Sequence, residues 1–238
     1  MENSCIYPSG LDKKLLSEIE NIMQKIFSQL ALDRYLDYQS SVLLCRMLQS
    51  ARRGLPDLSN FIGKSSVIIG PYDLSGNRPK IDQGTTVIVA GSSVENYNLP
   101  EPPAFIVTDL DGDPEKLFSY SGSGSTVVLH AHGDNIPKII EYFSEIKGPI
   151  IPSCQVYDHA PVNNFGGFTD GDRSVFFANF LGSPKIDVYG FNLEDPIAKS
   201  KDLLEIKRKK LKFAGELIGF LEAYRSRTYG DQNIIFHP

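Results

Sequence analysis

The sequence is most informative at first through what it has little of. Its three cysteines, Cys5, Cys45 and Cys154, are odd in number and widely scattered, with no C-x-x-C pair. That pattern argues against a disulfide framework and against a zinc site built on thiolates. No apolar run approaches the ~20 residues that a membrane span requires. The opening MENSCIYPSG has no basic segment followed by an apolar one, so a cytoplasmic protein without a membrane partner is expected. There is no excess of positive charge either: the formal net charge is −5, and nucleic acid is not an expected partner. A polyanion would have to be held locally, by a metal or a few placed cations. Walker A, G-x-x-x-x-G-K-S/T, is absent, as are internal repeats and low-complexity linkers.

What is present reads as an α/β protein. With 238 residues, 41% hydrophobic and 22% charged, the chain can bury a sizeable core as one large domain or one domain with an appended part. Leu15, Ile19, Ile22, Ile26 and Leu30 fall at helical spacing, and a second helix is predicted over roughly 33–53. Short β-branched runs then recur: SSVIIG (65–70), TTVIVA (85–90), AFIVTDL (104–110), STVVLHA (125–131), GPIIPS (148–153) and KIDVYGF (185–191). Their near-continuous hydrophobicity suits strands covered on both faces. Helical patterns at 135–147, 172–182 and 201–227 separate several of them, which implies βαβ units and a doubly wound, mostly parallel sheet. The expected division is a helical segment over 1–60 and an α/β domain over 61–238.

In such sheets ligands bind beyond the carboxyl ends of the strands, and polar clusters stand there. TDLDGD (108–113) offers Asp109, Asp111 and Asp113. Asp and Gly are turn residues, so a plain turn is one reading. An EF-hand loop fails, because its sixth and twelfth positions would be Pro114 and Tyr120. A haloacid-dehalogenase-type phosphatase places Thr or Val where this chain has Asp113, whereas a nucleotide-sugar transferase using Asp-x-Asp for a metal is not excluded locally. Mg²⁺ usually takes only one or two carboxylates, beside waters and substrate phosphates.

HAHGDN (130–135) places His130 and His132 on one side of an extended segment, as phosphate donors, carboxylate-orienting groups or core packing. Asp134 either caps the next helix or joins a metal. NFGGFTDGDR (164–173) adds Asp170, Asp172 and Arg173 at a helix start, where capping and anion binding compete. Gly70 in GPYDLSGN and the AGSS stretch at 90–93 follow strands and are candidate nucleotide contacts. The run KRKKLKFAGELIGFLEAY (207–224) has Leu204, Leu211, Ala214, Ile218 and Leu221 as its inward stripe, with Arg208 expected on the inward side. Its basic residues either form a solvated face or reach phosphates.

In this order and spacing, TDLDGD, HAHGDN and GGFTDGDR resemble the archaeal-type 6-hydroxymethyl-7,8-dihydropterin pyrophosphokinases, over roughly residues 60–225. KLKFA (210–214) resembles a C-terminal signature of that family. The resemblance implies a Rossmann-like fold related to the catalytic domain of thiamin pyrophosphokinases. It implies transfer of the terminal diphosphate of ATP, as co-substrate, to a reduced pterin, with Mg²⁺ as cofactor. Carried over residue by residue, Asp109, Asp111 and Asp134 would hold the metal. Gly70, His130, His132, Asp170, Asp172 and Arg173 would bind the nucleotide and its phosphates. Asn163, Asn164 and Phe168 would meet the pterin, and Asp134, Asp172 or Arg173 would act in catalysis. GPYDLSG and VAGSSVE depart from the family's usual glycine-rich loop and Ala-Asp-Gly-type stretch, which bears on how the nucleotide is held. A homodimer is allowed for. The alternatives are a thiamin pyrophosphokinase-like enzyme, a glycosyltransferase-like protein and a non-catalytic nucleotide-binding module.

Overall fold

The computed structural model describes residues 4–7, 12–72, 74, 78–157, 160–193, 201–230 and 233–237, with the side chains of 201 and 202 left aside. Positions 73 and 75–77 of GPYDLSGN lie outside the described residues, as do 1–3 and 8–10 of the opening stretch. Seven strands form one sheet: β1 (Ser66–Ile69), β2 (Thr86–Ala90), β3 (Phe105–Thr108), β4 (Thr126–Ala131), β5 (Ile150–Cys154), β6 (Ile186–Tyr189) and β7 (Ile234–Phe236). Their order is β5-β4-β3-β2-β1-β6-β7, and every pairing is parallel. The expected α/β sheet is therefore present and wholly parallel.

Six α-helices accompany the sheet: α1 (Lys13–Gln29), α2 (Arg34–Ser50), α3 (Pro114–Gly122), α4 (Ile136–Tyr142), α5 (Asp170–Phe180) and α6 (Lys201–Tyr229). The two-residue repeat of the strands divides the core between the sheet faces. Ile68, Ile88, Phe105, Val107 and Val188 point to one face, where they pack with Ile19 and Ile26 of α1, Phe177 of α5 and Leu217 of α6. Val67, Ile69, Val89, Ile106 and Leu129 point to the other, with Leu44 and Leu48 of α2, Leu117 of α3 and Ile139 of α4. Both faces are thus dry, which explains why the strands read as unbroken apolar runs. The two N-terminal helices cover opposite faces of the sheet.

Two expectations need correction. Cys5 and Cys45 form a disulfide, with Cα atoms 5.9 Å apart, while Cys154 is free and buried. A separation of 40 residues hides the pair in the sequence, because only the packing of α2 brings Cys45 beside the N-terminal segment. Arg208 is exposed rather than inward, as are its neighbours from 205 to 210. The buried stripe of α6 begins later, at Phe213 and Ala214, and continues through Leu217, Ile218 and Leu221.

Candidate active site

The carboxyl ends of β2, β3 and β4 and the start of α5 meet at one rim. The turn after β3 is shaped by Leu110, which takes φ 72° although it is not glycine. Such a conformation costs a leucine about 1–3 kcal/mol and persists only where its surroundings impose it. Here the side chain is buried in the core and the Leu110 N–H donates to Thr108 Oγ1 at 2.9 Å. With Leu110 drawn inward, Asp111 is left exposed and Asp109 partly buried at the rim. Asp109 Oδ1 accepts from the Asp111 N–H at 3.2 Å, and Oδ2 lies 3.5 Å from His132 Nε2. Burial opposes ionisation of Asp109, but the hydrogen bond and charge of His132, the charge of Arg173 and the Asp111 N–H outweigh it, holding the carboxyl below its usual range. Asp111 is exposed and paired with Lys138 of α4. Asp113 accepts from the N–H groups of Glu115 and Lys116 at 2.9 and 3.3 Å, so the third aspartate of the motif caps α3.

His130, on β4, is 1% exposed, with Nδ1 3.2 Å from Ser153 Oγ of β5 and Nε2 buried without a hydrogen-bond partner among the described residues. Burial, and then the positive charges of Arg173 and His132, push its titration well below the ordinary histidine range, so the ring is neutral. His132 is partly exposed beside Asp109. The short 3₁₀ turn after β4 (Gly133–Asn135) has His132 at its N-cap, and the reciprocal arm of its capping box comes from Asn135, not Asp134. Asn135 Oδ1 accepts from the His132 N–H at 3.0 Å, while Nδ2 donates to the carbonyls of Asp109 at 3.0 Å and His130 at 2.7 Å. This buried amide ties the ends of β3 and β4 together, and Asp134 is left exposed at the first turn.

At the third motif, Thr169 is the N-cap of α5 and Asp172 completes a capping box. Asp172 Oδ1 accepts from the Thr169 N–H at 2.7 Å and from the Thr169 hydroxyl, and Oδ2 accepts from the Phe168 N–H at 2.7 Å. Both oxygens are thereby occupied in a side chain that is almost wholly buried. Asp170 pairs with Arg173 Nη1 at 2.9 Å, and burial followed by the charge of Asp109 pushes its carboxyl well up. Arg173 is buried, donates Nη2 to the Phe168 carbonyl at 2.7 Å, and has Nε unpartnered among the described residues. Asp170 packs against the turn after β2: a Cβ on Gly91 would fall 2.6 Å from Asp170 Oδ2. Gly70, at the end of β1, has another role: a Cβ there would meet the Gly190 carbonyl at 2.4 Å and the Phe191 ring at 2.5 Å. Gly70 and Gly171 both pack closely on the Phe191 ring, beside the crevice between β1 and β6 where the strand order reverses.

The three residues expected at a pterin lie apart from one another in role. Asn163 is fully buried, with Nδ2 donating to the carbonyls of Cys5 and Pro152 at 3.0 Å each and Oδ1 accepting from the Tyr7 N–H at 2.8 Å. Phe168 is in the core, with Lys210 Nζ 5.9 Å from its ring centroid. Asn164 borders a cleft of about 230 Å³ with Leu16, Ile19, Gln155, Tyr157 and Gly167. Among the described residues no group of three or more His, Cys, Asp and Glu side chains is disposed to hold a metal ion. Sequence reasoning passed over Leu110, Asn135 and Lys138. Asn135 stood inside HAHGDN, but only the fold shows that its amide faces the end of β3.

A parallel α/β sheet with acidic turns gathered at its carboxyl rim defines a class, that of proteins which bind their ligands beyond the strand ends. No protein-family model matches the chain. Relatives do: it is 34% identical over 232 residues, covering 87% of this chain and 95% of the relative, to the 6-hydroxymethyl-7,8-dihydropterin pyrophosphokinase of Methanocaldococcus jannaschii. The proteins of the same name from Methanothermobacter thermautotrophicus and Pyrococcus furiosus are 37% identical over 152 residues and 32% identical over 200. Those matches cover 60% and 74% of this chain, and 65% and 84% of the respective relatives. This chain belongs to the 6-hydroxymethyl-7,8-dihydropterin pyrophosphokinase family and is an enzyme of the diphosphotransferase class.

Proposed function

We propose that the chain transfers the terminal diphosphate of ATP to the hydroxymethyl group of 6-hydroxymethyl-7,8-dihydropterin, releasing AMP, with Mg²⁺ held by Asp109 and Asp111. The observation that carries the metal reading is the turn after β3, where an inward Leu110 leaves an ionised Asp109 and an exposed Asp111 side by side. Two all-oxygen ligands fit Mg²⁺, which fills its remaining positions with water and phosphate oxygens. Bound there, the ion would neutralise charge on the transferring phosphates.

The chain's own residues supply the rest. His132 stands beside Asp109 and would donate to phosphate oxygens, with the neutral His130 behind it. Arg173, enclosed beneath the rim, acts on the nucleotide through its positive potential and by compensating Asp170. The pterin hydroxyl attacks the β-phosphorus, the bond from that phosphorus to the bridging oxygen breaks, and AMP leaves. Asp134, exposed on the turn after His132, is the group we assign to take the hydroxyl proton. Asp172, both oxygens of which cap α5, is not. The cleft bordered by Asn164 offers the Asn164 amide and the ring of Tyr157 to a pterin's edge and face, while the Gln155 amide beside it is held by Asp37.

The relation in fold to thiamin pyrophosphokinases belongs to the same reading, with residues 61–238 as the α/β domain. A cytoplasmic setting belongs to the same reading, since ATP would be the donor; among the described residues no helix is long and apolar enough to cross a membrane. The test is to incubate the protein with ATP, Mg²⁺ and the reduced pterin, then with thiamin instead, and to measure AMP. Release with the pterin alone is expected. Release with thiamin alone, or ATP binding without AMP, would overturn the reading.

A further inference from the structure

Asp37 lies on α2, outside every motif that the chemistry uses, yet it is 4% exposed. It lies in the first turn of α2 but does not cap it: the N-cap is Asp33, whose Oδ1 accepts from the N–H groups of Tyr35 at 2.8 Å and Leu36 at 3.3 Å. Both Asp37 oxygens instead reach other elements. Oδ1 accepts from the Gly133 N–H at 2.7 Å, in the turn between His132 and Asp134. Oδ2 accepts from Gln155 Nε2 at 2.7 Å, just beyond β5. Gln155 stands two residues beyond Ser153, the register partner of His130, and so on the same side of the sheet as that ring.

The contact at Gly133 is close enough to dictate the residue. A Cβ there would come within 2.7 Å of Leu36 Cβ. Gly133 does not have a positive φ, so it is this approach of α2, rather than backbone conformation, that demands glycine. A carboxylate is also an expensive choice for this place. Burial pushes the Asp37 carboxyl up and the nearby Asp134 adds to the effect, against the two hydrogen bonds and the charge of His132. Only an acceptor can satisfy two inward-facing N–H donors at once, and an ionised carboxylate offers acceptors on both sides.

We propose that Asp37 is a positioning residue, which fixes the turn bearing His132 and Asp134 through Gly133 and orients the pocket of His130 through Gln155, so that α2 is a working part of the site. The proposal rests on the functional reading above for which residues do the chemistry.

The histidine ring signals in an NMR spectrum test it without depending on turnover. In Asp37→Ala the signals of His130 and His132 shift, while that of His237, bonded to Asp187 at 2.7 Å elsewhere in the fold, stays in place. Turnover falls by about 10–100-fold, as for other supporting partners, with KM for ATP changed far less. Asp37→Asn keeps an acceptor for the Gly133 N–H and restores the His132 signal and most of kcat. Gln155→Ala removes only the second arm and moves the His130 signal while sparing His132. Wild-type His130 and His132 signals in a folded Asp37→Ala protein would overturn the proposal. If Asp37→Ala does not fold, Gln155→Ala with an unmoved His130 signal overturns it, and a moved one supports it. A wild-type protein that makes no AMP from the pterin would defeat the functional reading, and the histidine spectra would still decide the role of Asp37.

Discussion

Two of the Asp-x-Asp pairs at the rim, Asp109–Asp111 and Asp170–Asp172, come to different ends. After β3 the intervening Leu110 turns into the core; Asp111 stands exposed beside Lys138, and the partly buried Asp109 meets His132, the Asp111 N–H and the charge of Arg173. At the start of α5 the intervening Gly171 packs against the Phe191 ring; Asp172 is almost wholly buried, while Asp170, 16% exposed against 22% for Asp109, faces the acidic turn after β3. Asp172 is consumed by the capping box and Asp170 by Arg173. The letters are alike, and the element that follows decides the role. A turn with an apolar anchor keeps its acids at the rim, whereas a helix start recruits them for its own free N–H groups.

That contrast can be broken by mutation, beginning with the largest effect. Arg173→Ala leaves Asp170 buried without its partner, and a denaturant titration should show a loss of about 3–5 kcal/mol of stability. Asp111→Asn should lower AMP formation by at least ~100-fold. Its stability should stay within about 0.5 kcal/mol of wild type, because the side chain is exposed. Asp172→Ala should do the reverse, costing about 2 kcal/mol of stability through the lost cap while the folded fraction keeps near-normal turnover. Loss of turnover in a fully folded Asp172→Ala protein would erase the distinction.

The smallest effect concerns His130 and pH. Its folded pKa lies below the unfolded value of about 6.5, so the unfolded chain takes up the proton first. The stability associated with the neutral ring is complete above that pH and is lost as pH falls below it. Wild type should therefore lose stability below about pH 6.5 more steeply than His130→Asn, as thermal unfolding across pH would show. Parallel curves would mean that His130 is not held neutral by the fold.

Much of the frame was legible. All six predicted strands are present, because burial on both faces leaves a dense apolar signature that needs no partner to read. The seventh, Ile234–Phe236, escaped because three residues at a sheet edge carry too little pattern. α3 was hidden by a sequence, PEKLFSYSG, whose serines and glycine read as a turn. The convergence of TDLDGD, HAHGDN and GGFTDGDR was also predictable, since parallel strands place their carboxyl ends together. The roles inside the motifs were less so. Nothing in the letters told Asp111 from Asp172, because the difference lies in which N–H groups each meets. Asn163 looked like a ligand-binding amide, yet it is tied to Tyr7 and Cys5, more than 150 residues away in sequence. Asp37 gave no signal at all, being one acid on a helix.

The central claim is that the pair after β3, and not the pair that opens α5, holds the metal. Mn²⁺ binding in the presence of a non-hydrolysable ATP analogue, followed by electron paramagnetic resonance, tests it directly on wild type, Asp109→Asn/Asp111→Asn and Asp172→Asn. The account predicts that the double variant loses nucleotide-dependent Mn²⁺ binding while Asp172→Asn keeps it. Retained binding in the double variant, or its loss in a folded Asp172→Asn protein, would contradict the account.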